Sequence, residues 1–388
     1  MAFTPTIAAG SLLFAVIALF LFQPDLNDIL GLLERRSGVT TGFTLHNRTS
    51  FCMGGEYASN QPGIEVMSGQ MYVERLTPEV VHQKLPILMI HGFGMTGNNF
   101  LTTPDGRPGW ADYFMAQGYE VYLVDQPSRG RSAWQNDLDG KQVILDTLYV
   151  EQRFTATQQY GLWPQATLLT QWPGNGSRGD PTFDNFYASM VPSLSSQVET
   201  SFKFRAAGAL LLDRIGVRDP CILLTHSQSG QFGWILADAR PKLVKSIIAI
   251  EPIGPPFISA IFPPFYAARP YGLTEIPVSF SPPIIQPEDL EPQAVHSQPN
   301  FTCIQQLAPA RQLVNLAKVP VLLITSESGY HAVYDGCSVE FLRSAGVSVE
   351  HIRLEQFGFH GNGHMMFMEK NSLDIARWVV KPWLQKLR

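Results

Sequence analysis

The sequence predicts an α/β protein built on a mostly parallel central sheet with helices on both faces. Short apolar runs recur along the chain, as expected of strands covered on both faces, and helix-like segments separate most of them. Polar clusters follow several of these runs, at the strand ends where such sheets carry their functional groups. The chain has 388 residues, of which 45% are hydrophobic and 16% charged, so it can bury a large core.

The N-terminus is the most apolar part of the chain. Residues 1–24 contain no charged side chain, and residues 7–22 form an unbroken run of apolar and small residues. A run of roughly 16 residues fits the core of a signal peptide and is short for a membrane span. Residues 1–24 are therefore predicted to be a signal peptide or an uncleaved anchor that attaches the chain to a membrane, with a buried helix as the alternative. Residues 25–68 are predicted to be an N-terminal extension, and residues 69–388 the main domain.

The elements of the main domain follow from their hydrophobic periodicity. Period-two alternation predicts the first strand, and short apolar runs predict the others. The predicted strands are residues 69–76, 85–90, 119–124, 221–226, 242–250, 319–324 and 349–354. Helices are predicted near 110–114 and at 202–215, 305–316 and 339–345, and residues 361–364 are predicted to open a closing helical region that extends to residue 383.

Two stretches depart from this alternation of strands and helices. Residues 133–200 are rich in Gln, Trp, Tyr, Pro and Gly, and a long loop-rich stretch inside a domain is usually functional. They are predicted to form an insertion over the functional site, in which Trp163, Trp172 and Tyr160 contact a bulky or apolar substrate. Residues 252–292 contain 11 of the 29 prolines and are predicted to run extended, as a second wall near the site.

An abrupt change from apolar to small polar residues marks the end of the strand at 221–226. A helix-like pattern follows at once, which is typical of a strand–turn–helix elbow with Ser227 at its tip. Such an elbow exposes one side chain for attack on a substrate. A helix that begins with Ser227 or Ser229 as its N-cap is the alternative. Ser227 is preferred to Ser229 as the nucleophile, because Thr225-His226 end a strand directly before it.

A serine nucleophile needs a base, and the base needs an acid that orients it. The base is expected after the last strand, where His364 follows a flexible glycine and His360 is the alternative. For the acid, Glu251 ends an apolar strand and is fixed by the proline that follows it. Glu327 and Asp335 lie after the next strand, where the acid of such a site is more commonly found, and both remain alternatives.

Backbone N–H groups must stabilise the oxyanion that forms when serine attacks a carbonyl. The N–H of Gln228, directly after the nucleophile, is the first predicted donor. The N–H of Phe93, in the loop that follows His91-Gly92, is the second. An ordinary tight turn is the alternative interpretation of that loop.

Taken in order, these motifs resemble the α/β-hydrolase superfamily over roughly residues 69–380. The residues that carry the resemblance are His91-Gly92-Phe93, Asp125-x-Pro127-x-x-Gly130-x-Ser132, His226-Ser227-x-Ser229-Gly230 and Gly363-His364. Three longer stretches resemble secreted bacterial and fungal esterases with a Ser-Glu-His triad: Thr225-His226-Ser227-Gln228-Ser229-Gly230, Ala249-Ile250-Glu251-Pro252 and His360-Gly361-Asn362-Gly363-His364. Some bacterial relatives carry adjacent cysteines where Phe93-Gly94 stand here, so no redox feature of that loop carries over. The resemblance implies an α/β-hydrolase fold and ester hydrolysis through an acyl-enzyme, with no cofactor.

The predicted function is therefore that of a serine esterase acting on a small-molecule ester in the secretory pathway. A tailoring hydrolase, acyltransferase or lactonase of a fungal secondary-metabolite pathway would use the same triad and is one alternative. A non-catalytic binding protein that kept the fold is another. A net charge of −5, with no basic run interleaved with aromatic residues, argues against nucleic-acid binding. No spacing of cysteine and histidine indicates a metal site.

The cysteines and glycosylation signals fit a secreted protein. Cys303 and Cys337 flank a late strand and are favoured as a disulfide in an oxidising compartment, with Cys52 as a competing partner. Cys221 opens an apolar strand and is predicted to be a buried thiol. Acceptor triplets for N-glycosylation occur at Asn47, Asn175 and Asn300.

Overall fold

A central sheet of eight strands organises the computed structural model, which describes residues 43–299 and 301–387. Thr44–Arg388 form one compact unit. The predicted signal segment, its possible role in membrane attachment and the acceptor Asn300 lie outside the described residues. Among the residues that are described, no helix is both long enough and apolar enough to cross a membrane.

The strands of this sheet are β1 (His46–Gln61), β2 (Ile64–Pro78), β3 (Ile87–Ile90), β4 (Val121–Asp125), β5 (Cys221–His226), β6 (Val244–Ile250), β7 (Val321–Thr325) and β8 (Val349–Arg353). They lie side by side in the order β1-β2-β4-β3-β5-β6-β7-β8. Strands β1 and β2 pair antiparallel with each other, and β2 pairs antiparallel with β4. Along the rest of the spatial order, which runs β4-β3-β5-β6-β7-β8, all neighbouring strands pair parallel. The mostly parallel sheet predicted from the apolar runs is thus confirmed.

Strand β1 lies within residues 25–68, the predicted N-terminal extension, and no strand was predicted there. It forms an edge of the sheet and pairs along almost its whole length with β2, which itself starts earlier than residue 69. An edge strand with exposed side chains does not need the continuous apolar run that identifies a strand buried on both faces.

The helices cover both faces of the sheet. They are α1 (Trp110–Ala116), α2 (Thr147–Val150), α3 (Thr157–Tyr160), α4 (Pro181–Ala188), α5 (Gln197–Ile215), α6 (Gly230–Ala239), α7 (Asp335–Ser344), α8 (Ser372–Ile375) and α9 (Lys381–Lys386). Single 3₁₀ turns occupy Gly97–Phe100, Pro164–Leu168, Ser227–Ser229, Pro287–Leu290, Leu316–Lys318, Tyr330–Val333 and Leu354–Phe357, and π turns occupy Glu151–Thr155 and Ala376–Val380.

The first four residues of β5, Cys221 to Leu224, are all apolar because both faces of the strand are covered. Ile222 and Leu224 point into the core on one face of the sheet, whereas Cys221 and Leu223 point into the core on the other. Side chains of a strand alternate between faces, so the part of a strand that helices cover on both sides must be apolar at every position.

The helix predicted over residues 305–316 is wrong. Gln305 and Gln306 end the strand Phe301–Gln306, which pairs antiparallel with Pro292–Gln298, and Gln312–Leu313 is a second short strand. The hairpin is joined to α7 by a disulfide between Cys303 and Cys337, the pairing favoured from the sequence, and Cys52 and Cys221 remain free thiols. The conformation of this segment depends on strand pairing within the hairpin and on the disulfide to α7. Local periodicity shows neither of these contacts.

The two irregular stretches contain short elements. Within residues 133–200, helices α2, α3 and α4 accompany a two-stranded pairing of Gln142–Val143 with Ser193–Leu194. Within residues 252–292, Phe280–Ser281 pairs with Gln312–Leu313. The closing helical region begins at Ser372, so His364 lies in a turn before it and does not open a helix as predicted.

Candidate active site

Four polar segments meet at the carboxyl edge of the parallel strands. His91 follows β3, Ser227 follows β5, Glu251 follows β6 and Ser326 follows β7. Neighbouring parallel strands end at the same edge of a sheet, so residues far apart in the sequence become neighbours there.

Ser227 occupies a sharp turn between β5 and α6. Its φ of +56° is in the left-handed region, which costs a non-glycine residue about 1–3 kcal/mol and is common at functional sites. The turn also requires small neighbours: a Cβ on Gly92 would lie 3.1 Å from the Cβ of Ser227, and one on Gly230 would lie 2.3 Å from the Cβ of Pro252. The elbow predicted at this position is therefore present.

Ser229, the rival nucleophile, is fully buried and has its own partners. Its hydroxyl donates to the carbonyl of Ile90 over 2.6 Å and accepts from the backbone N–H of His226 over 2.8 Å. These bonds fasten the elbow to strand β3. Ser227, in contrast, is partly exposed and lines a cavity.

Glu251 and His364 form a buried pair. The Nδ1 atom of His364 lies 2.7 Å from Oε2 of Glu251, and both side chains are fully enclosed. The other carboxylate oxygen accepts the backbone N–H of Ser326 over 2.9 Å and also the hydroxyl of Ser326. A carboxylate against Nδ1 fixes the proton there and leaves Nε2 free to accept another.

The two alternative acids each contact a different histidine. Glu327 lies 3.0 Å from Nδ1 of His360, whose side chain is largely exposed. Asp335 lies 3.1 Å from Nδ1 of His331. The structure therefore brings only Glu251 to His364.

Burial sets the protonation of the pair. It holds the pKa of His364 well below its usual value, and the nearby His331 lowers that pKa further. Burial raises the pKa of Glu251, while His331 and the two hydrogen bonds from Ser326 oppose the rise. The imidazole is therefore neutral near pH 7 and able to accept a proton.

The turn that carries His364 is held from several sides. The buried carboxylate of Glu369 accepts the N–H of Gly363 over 2.9 Å and the side-chain amide of Asn362 over 2.8 Å. The ring of Phe154 stacks on the His364 ring with centroids 5.2 Å apart. An imidazole clamped in this way keeps one orientation, as a base requires.

Tyr330 is a site residue that the sequence did not single out. Its hydroxyl lies 3.5 Å from Nε2 of His364 and interacts with the side chain of Ser227. Burial raises the pKa of this phenol well above its usual value, so it remains protonated. Nothing in the local pattern of residues 328–334 marks this tyrosine.

The predicted oxyanion donors are available. In the described part of the chain, the N–H of Phe93 donates to no protein acceptor, whereas the next N–H, of Gly94, donates to the hydroxyl of Ser193. Gln228 belongs to the first turn after Ser227, where backbone N–H groups have no acceptor within the helix. Both predicted N–H groups are therefore free to bind an oxyanion.

Arg129 and His91 brace this loop. The Nε2 atom of His91 accepts the N–H of Gln126 over 3.1 Å, so Nδ1 carries the proton and donates to the carbonyl of Gly92 over 2.9 Å. Arg129 donates to the same carbonyl over 2.9 Å and to the side-chain oxygen of Gln228 over 3.2 Å. The peptide group whose N–H belongs to Phe93 is thus held by two donors.

Ser227 opens into a cavity of about 490 Å³. The insertion contributes Leu145, Tyr149 and Phe154 to its wall, and the proline-rich stretch contributes Phe262 and Tyr266, among others. A larger cleft of about 850 Å³ lies at the opposite ends of the strands, away from the edge where parallel sheets carry their sites.

The three aromatic residues predicted to contact substrate do not line this cavity. Trp163 and Trp172 are buried in the core, where the indole N–H of Trp163 donates to the carbonyl of Ser328 over 2.9 Å. The Tyr160 hydroxyl donates to Glu151 over 2.7 Å. The insertion does form a wall, but through other side chains.

Among the described residues, one group could hold a metal by distance alone. Ligand atoms of Glu251, His331 and His364 lie within 4.8 Å of one another. The two imidazole rings are stacked with only 9° between their planes, so their lone pairs lie in two separate, nearly parallel planes and do not converge on a common ion. Each Nδ1 also already faces a carboxylate.

Known proteins resemble this chain in sequence and in fold. Residues 87–378 match the family described as the alpha/beta hydrolase family. A protein named probable secreted lipase phiG, from Fungal sp. (strain ATCC 74256), is 47% identical over 319 residues, which cover 81% of this chain and 86% of that protein. Among solved structures, a novel bacterial esterase has a TM-score of 0.58 at 22% identity, over 89% of this chain and 97% of that one.

Proposed function

Because this chain belongs to the alpha/beta hydrolase family, we propose that it is a serine hydrolase that cleaves carboxylic esters through an acyl-enzyme. One observation carries the proposal: His364 and Glu251 are 2.7 Å apart, fully buried, at the sheet edge where Ser227 occupies a strained elbow. A neutral imidazole with its Nδ1 proton fixed on a carboxylate is the base that a serine nucleophile requires.

The proposed reaction has two halves. His364 takes the hydroxyl proton of Ser227 on Nε2 while the serine oxygen bonds to the ester carbonyl carbon, and Glu251 stabilises the resulting imidazolium. His364 then gives the proton to the departing alkoxide, which leaves as the alcohol. In the second half, water loses a proton to His364, attacks the acyl-enzyme and releases the acid, and Ser227 recovers its proton.

The oxyanion of each half is assigned to the N–H groups of Phe93 and Gln228. Each donor of this kind contributes about 3–4 kcal/mol to the transition state when it is aligned in advance. Arg129 supports the assignment, because a hydrogen bond from a cation to the carbonyl of Gly92 polarises the peptide group and strengthens its N–H as a donor.

The substrate is proposed to be a bulky or apolar ester of a size that a cavity of about 490 Å³ can enclose. The side chains contributed by Leu145, Phe154 and Phe262 favour such a ligand. The relative is named a secreted lipase, and together with the Cys303–Cys337 disulfide this supports a secreted protein.

A fluorophosphonate probe tests the proposal. The wild-type protein should be labelled stoichiometrically and should hydrolyse p-nitrophenyl esters, and Ser227→Ala should lose both activities while keeping its melting temperature. Ser229→Ala is the matched control and should still be labelled. A folded wild-type protein that neither reacts with the probe nor cleaves any ester would instead indicate a binding protein. Adding an alcohol acceptor and analysing the products would separate acyl transfer from hydrolysis.

A further inference from the structure

Three arginines lie in or behind the wall of the cavity that holds Ser227, and among the described residues none of them forms an ion pair with a carboxylate. They are Arg129, Arg153 and Arg269. The ion pairs of described arginines belong to other residues of that type. Arg129 and Arg269 are buried, and a buried cation without a counter-ion is costly, so the retention of both calls for a physical explanation.

Arg269 is the arginine that lines the cavity directly. Its side chain is only 3% exposed, and two of its nitrogens are used: Nε donates to the carbonyl of Pro255 over 2.9 Å, and Nη2 donates to the carbonyl of Ile258. The structure gives no hydrogen bond from Nη1. The backbone of Arg269 has a φ of +50°, and such strain in a non-glycine residue clusters at ligand-binding positions.

The other two arginines lie behind the cavity wall. The guanidinium of Arg153 is 3.8 Å from the ring centroid of Tyr149 and 4.2 Å from that of Phe262, and its Nε has no hydrogen-bond partner. Arg129 contacts the oxyanion loop through the carbonyl of Gly92. Both cations therefore contact residues that line the cavity or belong to the loop beside it.

Glu275 is the only carboxylate that lines the cavity among the described residues. It attracts Arg269, but the two do not form an ion pair, and burial still holds the pKa of Arg269 below its usual value. The chain as a whole carries a net charge of −5, so this excess of positive charge is local. Three cations at or behind an apolar wall outnumber the one carboxylate that lines it, so the field in the cavity attracts anions.

We propose that the ester substrate carries a carboxylate, which Arg269 binds through its unoccupied Nη1. This inference rests on the proposed ester hydrolysis and specifies its substrate class. The Nη1 group keeps two N–H donors and belongs to a cation, so it can donate charge-assisted hydrogen bonds to a carboxylate. The apolar wall encloses the remainder of the substrate, so the recognised molecule is an amphiphilic ester with one acidic end.

Matched pairs of substrates test this proposal. On the acyl side, p-nitrophenyl hydrogen suberate is compared with p-nitrophenyl octanoate, and on the alcohol side, 4-butyryloxybenzoate is compared with 4-butyryloxybenzamide. A charge-assisted hydrogen bond should favour the acid of at least one pair by about 10- to 100-fold in kcat/KM. The preference should weaken as salt is raised, because ions screen the attraction.

Variants assign the preference to Arg269. The ratio of kcat/KM for acid and neutral ester is measured, since it does not depend on the fraction of folded enzyme. Arg269→Met should bring the ratio near one, Arg269→Lys should keep part of it, and Glu275→Gln should raise it. If Arg269→Met does not fold, Glu275→Gln still tests the inference, because removing the negative charge should raise the ratio of kcat/KM for acid and neutral ester. The inference would be overturned if the enzyme hydrolysed the neutral ester as well as the acidic one in both pairs and if Glu275→Gln left the ratio unchanged. The proposed ester hydrolysis would still stand in that case.

Discussion

Replacing Glu251 by glutamine is the sharpest test of the proposed catalytic pair. The carboxylate accepts three hydrogen bonds, two from Ser326 and one from His364. Glutamine has one oxygen and one NH₂ group in the same volume. If the oxygen keeps the bonds from Ser326, the NH₂ group faces Nδ1 of His364 and can only donate to it. The imidazole must then carry its proton on Nε2, where it cannot accept the proton of Ser227.

The size of the effect follows from two losses. In the variant, the tautomer with its proton on Nδ1 has no carboxylate to donate to, and the missing charge-assisted hydrogen bond is worth about 1.5–3 kcal/mol. The imidazolium formed in the transition state also loses its buried counter-charge. The corresponding change in a serine protease of known mechanism lowers kcat by about 10⁴-fold. We expect Glu251→Gln to lower kcat by about 10³- to 10⁴-fold, equivalent to about 4–5.5 kcal/mol, with KM little changed.

The assay is p-nitrophenyl ester hydrolysis normalised to the melting-curve fraction of folded protein. Glu327→Gln and Asp335→Asn are matched controls, because these acids contact His360 and His331. Glu327→Gln should lower kcat by less than about threefold, equivalent to less than about 0.7 kcal/mol. If either control loses as much activity as Glu251→Gln, the assignment of Glu251 as the acid is wrong.

Four further predictions follow from the site and its supports. Because burial holds the pKa of His364 well below its usual value and protonation removes the base, kcat/KM for a neutral ester should stay constant from about pH 8 to pH 6.5 and fall only at lower pH; a midpoint above pH 6.5 would contradict the lowered pKa. Arg129→Met should lower kcat about tenfold or more through the oxyanion loop, with Arg129→Lys less impaired, whereas a fall in melting temperature without a change in kcat would show a purely structural role. Ser229→Ala removes two buried hydrogen bonds and should lower the free energy of unfolding by about 1–3 kcal/mol in urea titrations. Replacing Cys303 and Cys337 with alanine opens a link across 34 residues and should lower that free energy by about 3–4 kcal/mol, and an unchanged urea midpoint would argue against the bond.

The fold was largely predictable from the sequence because its physical requirements are local. Strands such as Cys221–His226 are buried on both faces, so Cys221 to Leu224 must be apolar, and polar residues enter only where the strand reaches the site. The elbow at Ser227 needs small neighbours, which the sequence shows. The order of Ser227, Glu251 and His364 along the chain is likewise visible without coordinates. Strand β1 was not predicted because an exposed edge imposes no such pattern. Phe301–Gln306 was not predicted because its hairpin pairing and its disulfide to Cys337 are contacts that local periodicity does not show.

The sequence by itself determined which residue types follow each strand, and hence that Ser227, a nearby carboxylate and a late histidine would share one edge of the sheet. Only the tertiary structure decided which acid faces which histidine, since Glu251, Glu327 and Asp335 each have a histidine within reach. It also decided which side chains of the insertion face the cavity, and it brought Arg269 to the wall. Contacts of this kind depend on distances between segments far apart in the chain, and no local pattern encodes those distances.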